Sequence, residues 1–388
     1  MKNITKKIIL ILTIMFCTNY LITITNAKYI NIINTTNTKV LKKIESPNLL
    51  IFISPQYKDD EDIINSVKKY ITTVKNQVGW VSLIIKIQKE NNNFEAIDEI
   101  IEQYYKNSTL KACIMVGEDI STALSGDSNY METPSTVPWY TIGGKKSYET
   151  SKEAIVCKPY KIDVCVTLLY PAHVLSYSTK KSQIITVFEK FSNRNKEPLT
   201  NAIVFESSEI NSNSKALYKN INNYTNLFYK ENPTQKELIE SLEKNYSMYY
   251  IHGHSNPSGT IINDYEKIWF SAENLKELKT PFFAADGCYS SGWWSDQKDN
   301  NKLDFSVNDF WYGSKIFNSK NIQVMVLGLL SQNGYTYNVS FIENIIPDLA
   351  KGKTLAESMI GKTIVGNVNI FGDPTFSFKN FLNNNFSG

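Results

Sequence analysis

The stretch Ser247–Ser255, "SMYYIHGHS", runs through a short apolar segment into His252, Gly253 and His254, and so holds two of the three histidines in a chain of 388 residues. A second stretch, Pro281–Ser290, "PFFAADGCYS", has the same construction: an apolar run, then Asp286, Gly287 and Cys288. Runs this short, apolar throughout and closed by glycine, read as strands buried on both faces of a largely parallel sheet. In open sheets of that kind the functional groups gather just past the C-terminal ends of the strands. His252 and Cys288 stand 36 positions apart, and the interval holds a loop with one helical turn, Ser271 to Leu278, before the next strand. One crossover of that size sets His252 and Cys288 on neighbouring strand ends.

Working outward, the pattern is strand and helix in alternation, which predicts an α/β fold. Leu49 to Ser54, Trp80 to Ile87, Leu110 to Val116 and Ile162 to Leu169 read as strands, with helices over Asp59 to Val78, Asn93 to Tyr105 and Lys181 to Asn193. Gly117 to Lys161 reads as excursions around short strands. A second round starts with a strand at Asn201 to Phe205, followed by helices over Ser214 to Tyr229 and Thr234 to Asn245, the latter capped by Thr234. Strands at Ser247 to Ile251, Pro281 to Ala285 and Ile322 to Leu330 follow, with helices over Val339 to Ala350 and Thr354 to Val365. Two α/β units are expected, residues 45–200 without catalytic groups and residues 201–380 with them.

The chemistry these residues suit is nucleophilic. A thiol at a glycine-freed strand end, with a histidine on the next strand to move its proton, is the arrangement of a cysteine hydrolase. The N–H groups of Gly253 and Cys288 are expected to hold the oxyanion. Residues two apart on a strand share a face, so His252 and His254 both stand as candidates, His252 first. Trp293, within "CYSSGWW", is placed to wall a substrate cleft.

In these stretches the sequence resembles the cysteine peptidases of the caspase, legumain, clostripain and gingipain group, and among them the gingipain type. Beside His-Gly and Gly-Cys, "LKACIMVGED" (Leu110–Asp119), "VMVLGLLSQNGY" (Val324–Tyr335) and "FGDPTF" (Phe371–Phe376) are similar to that family's segments. The resemblance implies a caspase-like, mostly parallel sheet with flanking helices, a Cys/His dyad, and peptide hydrolysis through a thioester on Cys288. The family glycine follows its histidine, which points to His252; a small residue often precedes it, which points to His254. The loop offers Ser331, Gln332 and Asn333 for substrate binding and no acidic group, so a preference for arginine is not implied.

Composition limits the alternatives. Lys2, Lys6 and Lys7 precede an apolar run and Thr25-Asn26-Ala27 suits cleavage, so residues 1–27 read as a secretory signal peptide, too interrupted to span a membrane. Without them, basic and acidic groups balance at 38 each, which leaves no electrostatic footprint for nucleic acid. Protein or peptide substrates are the expected partners, and the chemistry requires no cofactor. A His-x-His zinc site completed by Asp286 or Asp264 lacks further ligands of fixed geometry. Structural calcium is compatible with the acidic loops Glu118-Asp119 and Asp59-Asp60-Glu61-Asp62, although acids at a helix start are also explained by its dipole. Cys113 reads as buried, and Cys157 with Cys165 as a pair able to bridge in an oxidising compartment. The contrasting functional class is a non-enzymatic exported binding or adhesion protein on a peptidase-like fold.

Overall fold

The computed structural model describes residues 30–34, 46–120, 123–125, 133–135, 160–209, 221–256, 258–287, 312–329, 339–364 and 367–379, together with Trp139, Ile142 and Ser290. Eleven strands form one sheet: β1 (Ile30–Asn34), β2 (Leu49–Ile53), β3 (Ser82–Lys86), β4 (Ala112–Val116), β5 (Cys165–Leu169), β6 (Asn201–Glu206), β7 (Asn226–Glu231), β8 (Met248–His252), β9 (Phe282–Asp286), β10 (Val324–Leu329) and β11 (Asn367–Gly372). Across the sheet they lie in the order β1-β3-β2-β4-β5-β11-β10-β9-β8-β6-β7. Every residue of β2, β4, β5, β8 and β9 is buried. Apolar composition on both faces fits that placement, since each Val, Leu or Ile taken out of water contributes about 1.5–3 kcal/mol.

Pairing is parallel everywhere except between β10 and β11. β11 runs with β1–β5 and against β6–β10, so the two groups of strands point their C-terminal ends at opposite edges of the sheet. Residues 45–200 and 201–380 therefore contribute to a common sheet, joined through a strand from near the chain's end.

The helices form where apolar residues recur at three- and four-residue spacing. In α1 (Glu61–Val78), Ile63, Val67, Tyr70, Ile71 and Val74 are buried, the Asp60 side chain caps the start, and Gly79 ends it at φ +78°. α2 (Phe94–Asn107) is capped by Asn93 and buries Ile97, Ile100, Ile101 and Tyr104. α3 (Tyr177–Ser192) packs on α1, with the rings of Tyr70 and Phe188 5.5 Å apart. α4 (Gln235–Leu242) starts at the expected Thr234, whose hydroxyl and the Glu237 carboxylate form a capping box. α5 (Lys315–Asn318), α6 (Val339–Ala350) and α7 (Leu355–Met359) complete the set among the described residues.

Four elements differ from the sequence reading. The helix expected over Ser214 to Tyr229 includes part of β7, the sheet's edge strand, whose residues are half-buried or exposed and so lack an apolar run. The helix expected through Val365 stops at Met359: Gly361 sits at φ +81° and Thr363–Ile364 pairs antiparallel with Tyr160–Lys161. β11, read only as part of a motif, is a central strand. Between β8 and β9 the chain does more than turn once, forming a three-stranded antiparallel meander of Ser255–Asn256, Gly259–Asn263 and Ile268–Ser271. Cys165 is a buried free thiol against Met359 Sδ at 3.4 Å, so it is not bridged to Cys157, which lies outside the described residues. Burial pushes the Cys165 thiol well above its ordinary pKa.

Candidate active site

β8 and β9 are parallel neighbours, with Met248 beside Phe282 and His252 beside Asp286. The two glycine-ended strands thus finish side by side. Cys288 lies one residue beyond Gly287, outside the described residues, as do Trp293, Ser331, Gln332 and Asn333.

The glycines are required by close approach of backbone. A Cβ on Gly253 would stand 1.8 Å from the carbonyl oxygen of Ile261 in the meander. On Gly287 it would stand 2.0 Å from Ser255 Oγ and 2.3 Å from Gly253 O. Side chains at either position would force apart the strand end and the meander laid against it. The Gly253 N–H donates to Asp286 O at 3.1 Å. That bond extends the β8–β9 ladder and engages the same N–H that the sequence reading assigned to the oxyanion. Ser290, fully buried, donates its hydroxyl towards Gly328 O at 2.9 Å, within reach also of Ala285 O and Gly287 O. It ties the chain at Ser290 to the ends of β9 and β10.

The two histidines occupy opposite environments. His252 is 2% exposed, and its Nδ1 lies 3.0 Å from Glu206 Oε1. Register explains the contact, since Glu206 on β6 and Asp286 on β9 flank His252 on its two sides. Tyr229 donates its hydroxyl to Glu206 Oε2 at 2.7 Å, and Tyr250 donates to Asp286 Oδ2 at 3.4 Å. A buried row of carboxylate, imidazole and carboxylate is therefore closed at each end by a tyrosine. His254, in contrast, is exposed, and its carbonyl accepts from Ile261 N–H at 2.8 Å. Asp264 sits near it with a side chain buried in the meander turn. Burial and the neighbouring Glu209 raise the Asp264 pKa, and His254 opposes that shift.

Glu206, Tyr229 and Ser290 are the residues sequence reasoning missed. The signal for Glu206 was a carboxylate closing the apolar run "NAIVF", but its partner is fixed only by strand order.

At the opposite edge, where β4 ends, Glu118 bonds Lys180 Nζ at 2.6 Å and accepts from the Tyr57 hydroxyl at 3.0 Å. Asp119 beside it has its pKa raised by burial, with Glu118 adding to the shift. Asp59, Asp60 and Asp62 pair with Lys58, Lys86 and Lys181. Among the described residues no group of three or more His, Cys, Asp or Glu side chains is arranged to hold a metal ion, and no helix is long and apolar enough to cross a membrane. A cavity of about 600 Å³, lined by Lys190, Arg194, Lys279 and Gln323 among others, opens near the start of β10, at the edge away from the histidines.

No family model matches the chain, and no curated protein matches it in sequence. Its fold is similar to solved cysteine proteinases. The Arg-specific cysteine proteinase gingipain R aligns at 15% identity with a TM-score of 0.53, covering 88% of this chain and 80% of that one. The complex of the pro- and mature domains of RgpB from Porphyromonas gingivalis aligns at 14% with a TM-score of 0.55, covering 86% and 80%. A further structure described as a protease aligns at 10% with a TM-score of 0.52, covering 88% and 79%. The chain thus has the gingipain-type, caspase-like fold expected from its motifs.

Proposed function

We propose that this chain is an exported cysteine endopeptidase in which Cys288 is the nucleophile. The observation that supports the reading is the pairing of β8 with β9, which brings His252 beside Asp286, the residues that lead in sequence into His254 and into Cys288. The likeness to cysteine proteinase folds supports the same reaction class, and the basic and apolar residues 1–27 support export.

Cys288 attacks the scissile carbonyl, the tetrahedral oxyanion is held by backbone N–H groups that include that of Cys288, and collapse expels the amine and leaves a thioester. Water then releases the acid and regenerates the thiol. Of the two histidines, we assign delivery of the proton to the leaving amine to His254, because a group serving a substrate must reach solvent. His252, buried with Nδ1 held by Glu206, supports the strand end beneath it.

The test is cleavage of a mixed peptide library by the mature chain beside Cys288→Ala, His252→Ala and His254→Ala. Loss of turnover in Cys288→Ala and His254→Ala, with partial loss in His252→Ala, is the expected result. A wild-type chain that neither cleaves nor reacts with a thiol-directed peptide ketone sinks the reading in favour of a non-enzymatic binding protein.

A further inference from the structure

The meander between β8 and β9 is anchored on one face and open on the other. Its inner row is Ser255, Thr260 and Phe270, paired strand to strand. Thr260 and Phe270 are fully buried, and the Tyr312 hydroxyl bonds Thr260 Oγ1 at 3.0 Å and Phe270 O at 2.9 Å. Directly opposed residues of antiparallel strands share a face, and the next row points the other way. That next row is His254, Ile261 and Trp269: Ile261 pairs with Trp269, and Ile261 N–H bonds His254 O.

His254 and Trp269 are exposed, Trp269 at 43%, and Ile261 between them is half-buried. An apolar strip therefore starts at the histidine and ends at an indole. Gly259 leaves room for that indole, since a Cβ there would stand 3.1 Å from Trp269 Cε3. The strip lies on a meander paired strand to strand and bonded by Tyr312 from behind, an arrangement that limits the ordering needed to receive a ligand.

We infer that Trp269 is a specificity-determining residue that holds a large apolar or aromatic side chain of the polypeptide substrate about three residues from the scissile bond. Two strand spacings of about 4.8 Å separate His254 from Trp269, and an extended peptide covers that distance in roughly three residues at about 3.3 Å each. Because His254 serves the leaving amine, the side chain held is on the amine side of the cleaved bond. This inference rests on the peptidase reading and names what that site selects. The occupant is a substrate segment because the strip is continuous with the proposed catalytic histidine.

The experiment measures kcat/KM for fluorogenic peptides that are identical up to the scissile bond and carry Phe, Leu, Gly or Asp as the third residue after it. Wild type, Trp269→Ala and Trp269→Phe are compared, each with Cys288 titrated by a peptide ketone to count competent sites. The expected result is a tenfold or greater preference for Phe and Leu in wild type, lost in Trp269→Ala through KM and restored in Trp269→Phe, with the Gly peptide cleaved alike by all three. A preference that survives Trp269→Ala, an equal fall on every peptide, or a response only to residues before the scissile bond overturns the inference. A titratable but unselective wild type refutes this inference alone, and an inert, untitratable one removes the peptidase reading with it.

Discussion

At the C-terminal end of β4, the Glu118 carboxylate is shut in by Lys180 and Tyr57. At the C-terminal end of β8, the chain turns at Gly253 and leaves His254 in solvent. Both edges come from the same strand-and-helix alternation, and both carry charged groups. The first edge is closed by matching its charges; at the second, the missing side chains at Gly253 and Gly287 let a meander lie against the strand ends, with His254 left exposed. The difference teaches that a parallel sheet supplies two comparable edges, and that local backbone clearance decides whether an edge is sealed by paired side chains or by a meander that leaves a histidine exposed.

The comparison breaks most visibly at Lys180. Replacing it by Ala leaves Glu118 buried without its cation and is expected to cost about 3–5 kcal/mol in urea unfolding. Peptide cleavage per folded molecule should be unchanged, and a selective loss of cleavage would mean that the closed edge serves the reaction. At the open edge the expectation is inverted. Gly287→Ala pushes a methyl group into Ser255 and Gly253 O, with a cost of about 1–3 kcal/mol, and cleavage should fall further than stability explains.

Smaller changes sharpen the contrast. Tyr229→Phe deletes the hydroxyl donated to Glu206, at about 0.5–1.5 kcal/mol by thermal or chemical unfolding. Retained cleavage in that variant would fit His252 as a support, whereas a displaced pH–rate profile would make the buried row part of the proton path. The smallest expected effect is at Asp119. Burial raises its folded pKa above the unfolded value of about 3.9, so the folded state holds the proton more tightly and stability falls as pH rises through that interval. Asp119→Asn should therefore unfold at a higher temperature than wild type at pH 7, with the gap closing at pH 3. A gap that persists at pH 3 would show that the carboxylate is not its source.

What could be read in the sequence follows from what each element buries. β2, β4, β8 and β9 are buried on both faces and so spell continuous apolar runs, and α1 and α4 carry their caps in Asp60 and Thr234. β7 lies at the edge with Phe228 nearly half exposed, so its composition gives no strand signal. The meander escaped because its strands of two to five residues hold Asn, Ser and Gly beside Ile and Phe. At the site, paired glycines marked the strand ends that the structure brings together. The contrast between His252 and His254 was hidden, because burial of one and exposure of the other depend on where Glu206 and Ile261 arrive from distant parts of the chain. The need for glycine at 253 was not legible either, because the carbonyl of Ile261 that excludes a Cβ there comes from the meander.

β11 sets an order of events. It is the last sheet strand in chain order among the described residues, yet it lies between β5 and β10 and alone joins the two groups of strands. Its end is also where Arg194 pairs with Asp373, which accepts in turn from the Tyr70 hydroxyl at 2.6 Å. During synthesis the strands before residue 367 can assemble only as two separate half-sheets, each with an unpaired edge facing the other. Closure waits on contacts some two to three hundred residues apart in sequence, the kind that slow folding and leave strand edges open to aggregation in the meantime. A chain stopped short of β11 would keep every residue of the proposed catalytic site and lose the strand that makes its two halves one sheet.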